Sequence, residues 1–291
     1  MHPDPLAPLF DDGFLARLAR LRLAVQKRLL STGGSGRSAD LLGGRAEFRE
    51  HRHYVPGDDP RTIDWNAAAR LDQIFVKEFT AAGDLTLRVL VDVSSSMELG
   101  HPPKRSLCLQ LAAALAYLAL HERHAVRLEL VDRDDVMISP PFSQLGAFPR
   151  LLDWIQRKPK AGPSSGAPRS AGRSLFFALS DFLDQDAASR ALRSRKASQS
   201  CLVQILSPEE IRPSLQGAVQ LIDAESGDPF EMSVGPAERA RYEELLEALL
   251  ENRRALATRH RAGYVLLPSD VSLEEAIFGL LWMEGRLTER R

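Results

Sequence analysis

The chain has 291 residues, enough for one large domain or two ordinary ones. Its 44% hydrophobic and 26% charged content is that of a soluble globular protein. The 38 basic and 39 acidic side chains leave a formal net charge of -1, which excludes a global field that would draw in nucleic acid or an anionic membrane.

Met1 to Asp12 carries prolines and acids rather than a basic start and an apolar run, so it does not read as a secretory signal. From Gly13 to Leu30, Phe14, Leu18, Leu21 and Val25 recur at three- and four-residue spacing among Arg17, Arg20, Arg22 and Lys27. That period predicts an amphipathic helix, with Asp11 or Asp12 as its cap. Ser31 to Ala39 is rich in Gly and Ser and predicts a loop. Gly43 to Phe79 is a polar block with a turn at Pro56-Gly57-Asp58-Asp59-Pro60 and a short strand from Ile74. Within it, Ile63 and Trp65 suit a core, Asp58, Asp59 and Arg61 suit a turn, and His51 and His53 lack a third ligand for zinc. A structural clasp on the sheet is the favoured reading of Arg49 to Trp65, with partner docking next.

From Leu85 the pattern becomes strands alternating with helices. Leu85 to Val91 predicts a buried strand, Lys104 to Arg123 a long apolar helix, and Val126 to Val131 a second strand. The most apolar stretch, Leu107 to Leu120, is interrupted by Gln110 and falls short of the roughly 20 residues a bilayer requires. Asp132-Arg133-Asp134-Asp135 leads into Val136 to Ile138, and a connection this tight joins only antiparallel strands. Leu145 to Gln156 predicts a helix, Arg173 to Leu179 a strand, Gln185 to Ala197 a helix and Leu202 to Leu206 a strand. Ala218 to Ile222 and Phe230 to Val234 flank a turn and predict a hairpin. Pro236 starts a helix reaching about Arg261, whose apolar side is expected to pack mainly on the sheet. Tyr264 to Leu267 and Leu273 to Gly285 close the series as strand and helix. This alternation predicts an α/β fold: a doubly wound, mostly parallel sheet with one antiparallel strand. Cys108 and Cys201 each lie in an apolar run and read as buried, reduced thiols. A soluble, cytoplasmic protein without a membrane span or nucleic-acid partner is expected.

The sharpest local signal is Asp92-Val93-Ser94-Ser95-Ser96-Met97, directly after the first buried strand. Alternating Asp92, Ser94 and Ser96 can turn three oxygens toward one point, which suits a hard cation such as Mg²⁺. Asp181, in Leu179-Ser180-Asp181-Phe182, ends a later buried strand, so two carboxylates are expected at one edge of a parallel sheet. The competing reading is a turn or helix cap built from the same residues. Nucleophilic catalysis is poorly supported: there is no G-x-S-x-G elbow, and nothing ties His101 or His124 to Ser96. No phosphate-binding G-x-x-x-x-G-K-[ST] loop is present.

DVSSSM after a buried strand, with SDF downstream, resembles the metal-ion-dependent adhesion site of von Willebrand factor A domains. The block YVPGDDPRTIDWNAAARLDQIFVKEF is similar to that of the bacterial domain-of-unknown-function family 58, whose members often pair with MoxR-type AAA+ ATPases. The resemblance runs from about Gly43 to the C-terminus. It implies a von Willebrand factor A-like domain over 84–291, with a hairpin insertion at 217–235, preceded over 1–83 by the N-terminal helix and the family-specific segment. It implies Asp92, Ser94 and Ser96 as first-loop metal ligands and Asp181 as the ligand from the later strand. The family's Thr on an intervening loop has no counterpart, since no Thr lies between Thr86 and Thr258. Ser164 or Ser165 is expected to supply that hydroxyl, with Ser165 taken as the ligand. The expected function is a non-enzymatic adaptor that uses Mg²⁺, or Mn²⁺ or Ca²⁺, to grip a protein. It would work with a MoxR-type ATPase in the assembly or activation of a further client. The alternatives are a Mg²⁺-dependent phosphohydrolase using Asp92 and Asp181, and a metal-free scaffold, motivated by the missing Thr.

Overall fold

The computed structural model describes residues 10, 13–21, 47–53, 75–80, 85–132, 135–156, 174–184, 186–193, 199–224 and 226–280, with 47–53 and 75–80 as backbone. In chain order the strands are β1 (Glu47–His53), β2 (Phe75–Thr80), β3 (Thr86–Asp92), β4 (Ala125–Asp132), β5 (Asp135–Ile138), β6 (Ser174–Ser180), β7 (Gln199–Leu206), β8 (Gly217–Ile222), β9 (Pro229–Val234) and β10 (Gly263–Pro268). The helices are α1 (Lys104–His121), α2 (Phe148–Gln156), α3 (Ala187–Arg193), the single turn α4 (Pro208–Ile211) and α5 (Pro236–Arg259). Residues 13–21 and 273–280 are also helical.

Six strands form one sheet in the order β10-β7-β6-β3-β4-β5. All neighbours are parallel except β4 and β5, which pair antiparallel from Glu129 opposite Ile138 to Asp132 opposite Asp135. The sheet is therefore mixed α/β and mostly parallel, with one antiparallel pair. β3 is central. The chain leaves it toward β4 and β5, then returns to its other side as β6, so the strand order reverses between β3 and β6. Open sheets form their ligand crevice beyond the carboxyl ends of the strands at such a point.

Strand alternation builds two cores. Leu87, Val89 and Val91 of β3 and Leu175, Phe177 and Leu179 of β6 face α1, while Leu90, Phe176 and Ala178 face the other side. α1 is apolar all round and buried along most of its length, as a helix must be when covered on every side. Fully buried leucines such as Leu109 and Leu111 contribute about 1.5–3 kcal/mol each by leaving water. α2 covers its outer side, with Tyr117 edge-on to Phe148 at 5.2 Å. Phe14, Leu18 and Leu21 join this core, the face their spacing predicts. The second face is closed by Ala188, Ala191 and Leu192 of α3 and Ala257 of α5. It also buries an ion pair, Arg88 to Glu129 at 2.7 Å, with the guanidinium over Phe176.

β8 and β9 pair antiparallel as a separate hairpin. The expectation that α5 lies on the sheet needs correction. Only Arg253 and Ala257 of its 24 residues are buried, and Tyr242 and Leu245 are exposed. The stripe from Tyr242 to Leu250 is flanked by Glu243, Glu244, Glu247 and Glu251, whose charges need water on both sides. The helix therefore buries residues only in its last third, while nearer its start it touches the body through the Tyr242 hydroxyl. Both cysteines are buried and neither is in a disulfide. The hairpin of β1 and β2 includes the expected strand from Ile74, displaced by one residue, and places His51 and His53 in β1. Residues 54–74, which hold Tyr54, Asp58, Asp59, Arg61, Ile63 and Trp65, lie outside the described residues, as does 22–30 of the predicted first helix. No helix among the described residues is long and apolar enough to cross a membrane.

Candidate functional site

Asp92 is the last residue of β3 and opens the crevice at the strand-order reversal. The Val93 amide bonds the Val131 carbonyl at 2.8 Å, so the chain leaves the sheet only after Asp92. A short 3₁₀ turn, Ser95–Glu98, follows and buries Met97 beneath it. Folded this way, the loop aims its alternate oxygens inward. Asp92 Oδ1 accepts the Ser94 amide at 3.0 Å and the Ser94 hydroxyl at 2.6 Å. Ser94 Oγ lies 3.2 Å from Ser96 Oγ. Asp92, Ser94 and Ser96 thus form one cluster, as their spacing predicts.

The end of β6 brings Ser180 and Asp181 to the same edge. The Ser180 hydroxyl donates to Asp92 Oδ2 at 2.6 Å and accepts the Phe182 amide at 3.0 Å. Asp181 is buried, and its Oδ1 accepts the Leu183 amide at 3.3 Å. Phe182 has φ of 47°, a conformation costing a bulky residue about 1–3 kcal/mol unless its surroundings fix it. Here three bonds fix it: Ser180 Oγ on its amide, Arg253 Nε to its carbonyl at 3.0 Å, and Gln204 Nε2 to the Asp181 carbonyl at 2.6 Å. Gln204 in turn accepts the Tyr264 hydroxyl at 2.8 Å, and burial pushes that phenol up to about 12. The turn presenting Asp181 is braced from β7, β10 and α5.

Lys104, at the start of α1, was not singled out from the sequence. Its side chain has no exposed surface, and its ammonium donates to Asp181 Oδ2 at 2.8 Å and Glu210 Oε1 at 2.5 Å. Burial alone would lower its pKa, but the two carboxylates outweigh that and raise it. Glu210 belongs to the capping box of α4: its Oε2 accepts the Ser207 amide at 2.7 Å and its own amide donates to Ser207 Oγ at 3.2 Å. The Tyr242 hydroxyl of α5 donates to the Glu210 carbonyl at 2.6 Å. Burial raises the Asp92 pKa, against the hydroxyl bonds from Ser180 and Ser94; the Asp181 charge adds to the rise. Burial, reinforced by Asp92 and Asp181, likewise drives the Cys108 thiol well up, so it is no nucleophile.

The donors match a small divalent ion in part. Two neighbouring ligands of an octahedral ion at about 2.1 Å sit about 3 Å apart. The Asp92–Ser94 and Ser94–Ser96 separations, 2.6 and 3.2 Å, bracket that value. Asp181 differs, because its Oδ2 is held by Lys104 and its Oδ1 by the Leu183 amide. Among the described residues no three His, Cys, Asp or Glu side chains gather as a metal group, so a metal would depend on the serine hydroxyls. Ser165 and Ser164 lie outside the described residues. His101 is exposed beside Glu209 at 4.0 Å. His124 precedes β4 at the opposite edge of the sheet from Asp92.

Fold and site define a mostly parallel α/β protein with a cluster of hydroxyls, carboxylates and one buried ammonium at its strand-order reversal. Residues 50–252 match the family described as protein of unknown function DUF58, and the chain belongs to that family. It is 27% identical over 265 residues to uncharacterized proteins of Mycobacterium tuberculosis (strain ATCC 25618 / H37Rv) and Mycobacterium bovis, covering 82% of this chain and 80% of theirs. Among solved structures it is similar to a conserved hypothetical protein, BatB, from Bacteroides thetaiotaomicron. That match has 14% identity and TM-score 0.38 over 70% of this chain and 99% of the other. It is also similar to an aerotolerance-related membrane protein from Bacteroides fragilis, with 11% identity and TM-score 0.41 over 69% of this chain and 99% of that one.

Proposed function

We propose that this chain is a non-enzymatic, cytoplasmic adaptor with a von Willebrand factor A-like domain. It would grip a protein partner at the carboxyl edge of its sheet through a metal-ion-dependent adhesion site. The observation that carries this reading is the gathering of Asp92 Oδ1, Ser94 Oγ and Ser96 Oγ, 2.6 and 3.2 Å between neighbours, where the strand order reverses. Asp92, Ser94 and Ser96 would hold the ion, Mg²⁺ or else Mn²⁺ or Ca²⁺, with Asp181 alongside. A divalent ion bound there supplies a positive point that a carboxylate of the partner can neutralise. The protein's own part is to hold the oxygens. Ser180 fixes Asp92 through Oδ2, leaving Oδ1 to Ser94, and the braced Phe182 turn keeps Asp181 beside them. Membership of the family motivates a MoxR-type AAA+ ATPase as the partner, with a further protein as client.

The test is a pull-down from native lysate with the tagged chain, in Mg²⁺ and in EDTA, beside Asp92→Ala, read by mass spectrometry. Recovery of the ATPase by the wild type in Mg²⁺ alone is the expected result. Equal recovery in all three samples would move the contact away from Asp92. The Lys104–Asp181 pair favours one second reading, a metal-free scaffold that docks partners at the same edge.

A further inference from the structure

Lys104 sits where helix physics argues against it. The amino end of α1 is electropositive, and no acidic residue stands in the first turn of its 18 residues to offset the dipole. A fully buried ammonium is costlier still, because it has given up its water. Both penalties are answered by two carboxylates from distant parts of the chain, Asp181 77 residues away and Glu210 106 residues away. The fold thus brings the first turn of α1, the end of β6 and the cap of α4 together on one charge. Counted together with Asp92, which feels the Asp181 charge, Asp181, Glu210 and Lys104 carry a net of two negative charges.

We infer that Lys104 is the built-in counter-cation of Asp181. It pairs with the carboxylate that a divalent ion would use as a second charged ligand. It therefore holds the shape of the site without metal and keeps divalent affinity low. The inference rests on the reading of Asp92, Ser94 and Ser96 as a cation site. An ion entering there finds the second carboxylate already paired with a fixed positive charge. Binding a partner could recruit the ion only by adding its own carboxylate, so the ion and the partner would bind cooperatively.

The experiment is calorimetric titration of purified full-length protein with Mn²⁺. Wild type is compared with Lys104→Met and with the double variant Lys104→Gln/Glu210→Gln. The double variant keeps the cluster at two net negative charges while freeing Asp181, so it separates release of the ligand from bulk charge. Both variants are expected to bind Mn²⁺ about ten-fold or more tightly than wild type, because a nearby like charge is removed. Adding Asp181→Asn to Lys104→Met should erase that gain. Mn²⁺ should also raise the unfolding temperature of Lys104→Met more than that of wild type, since binding to the folded state stabilises it. If Lys104→Met does not fold, the double variant decides alone. Equal, measurable affinity in all proteins overturns the role of Lys104 and leaves the metal reading standing. Absence of binding in every protein overturns both.

Discussion

Asp92 is a carboxylate held out of water beside a second carboxylate, and its folded pKa is raised above the ordinary aspartate value. A raised folded-state pKa means that between the unfolded and folded values the native state holds more proton than the unfolded chain. Stability therefore falls as pH rises through that window. Measured in EDTA, the urea midpoint of Asp92→Asn should gain on that of wild type as pH rises through and above the ordinary aspartate range, because only wild type must ionise a buried acid at this position. A gap that stays flat, or closes with pH, would refute the assignment. Ser180 is the hydroxyl that makes this burial tolerable, donating to Asp92 and accepting from Phe182. Ser180→Ala leaves a carboxylate oxygen and an amide unpaired and should cost about 1–3 kcal/mol by urea denaturation. Asp92, Ser94 and Ser96 were legible because one short loop carries all three. Ser180 was visible only as the neighbour of Asp181. Lys104 and Glu210 were not legible, since only the folded sheet joins positions 77 and 106 residues apart. The signal that could have found Lys104 is a basic first turn on a helix otherwise fit for burial.

At the scale of elements, the site depends on how loops and helix ends meet. Gly100, on the loop leading to α1, has φ of 94°, and a Cβ there would lie 2.3 Å from the Ser207 Cβ at the cap of α4. Neither the dihedral nor the contact yields cheaply, so Gly100→Ala should cost about 2 kcal/mol or more and loosen Lys104 from Glu210. A thermal midpoint unchanged within error would show that the loop simply moves aside. α5 makes a second junction: Arg253 reaches the Phe182 carbonyl at 3.0 Å and the Asp184 carbonyl at 2.9 Å. The repeating strands and helices were legible because each carries its own period, and Pro236 marks where α5 begins. The lie of α5 was not legible. An apolar stripe says that a helix can bury a face, while the acidic residues beside it decide how much of that face stays in water.

Across the whole molecule, stability is unevenly distributed. The six-stranded sheet with α1 is closed on both faces, and β6 is buried at every position. The β8–β9 hairpin is a separate two-stranded sheet whose residues are mostly exposed, Ile222 by 67% and Phe230 by 63%. Two-stranded sheets are marginal alone, and a helix that buries no residue in its first two thirds gains little from packing. Residues 217–251 also carry nine acidic and two basic side chains, a charge of -7, against +6 for the remainder of the chain. Self-repulsion within the arm adds to its weak packing. Hydrogen exchange followed by mass spectrometry should find this arm opening sub-globally while the sheet exchanges only through global unfolding. Peptides from 217–250 should exchange well before those from 174–180 and 105–120. Ile222→Ser and Phe230→Ser, made together, should shift global stability by less than about 1 kcal/mol, since exposed side chains lose little on truncation. A loss comparable to that of a core substitution would mean that the hairpin is docked on the body in solution. Co-protection of 217–250 with β6 in the exchange experiment would require the same conclusion.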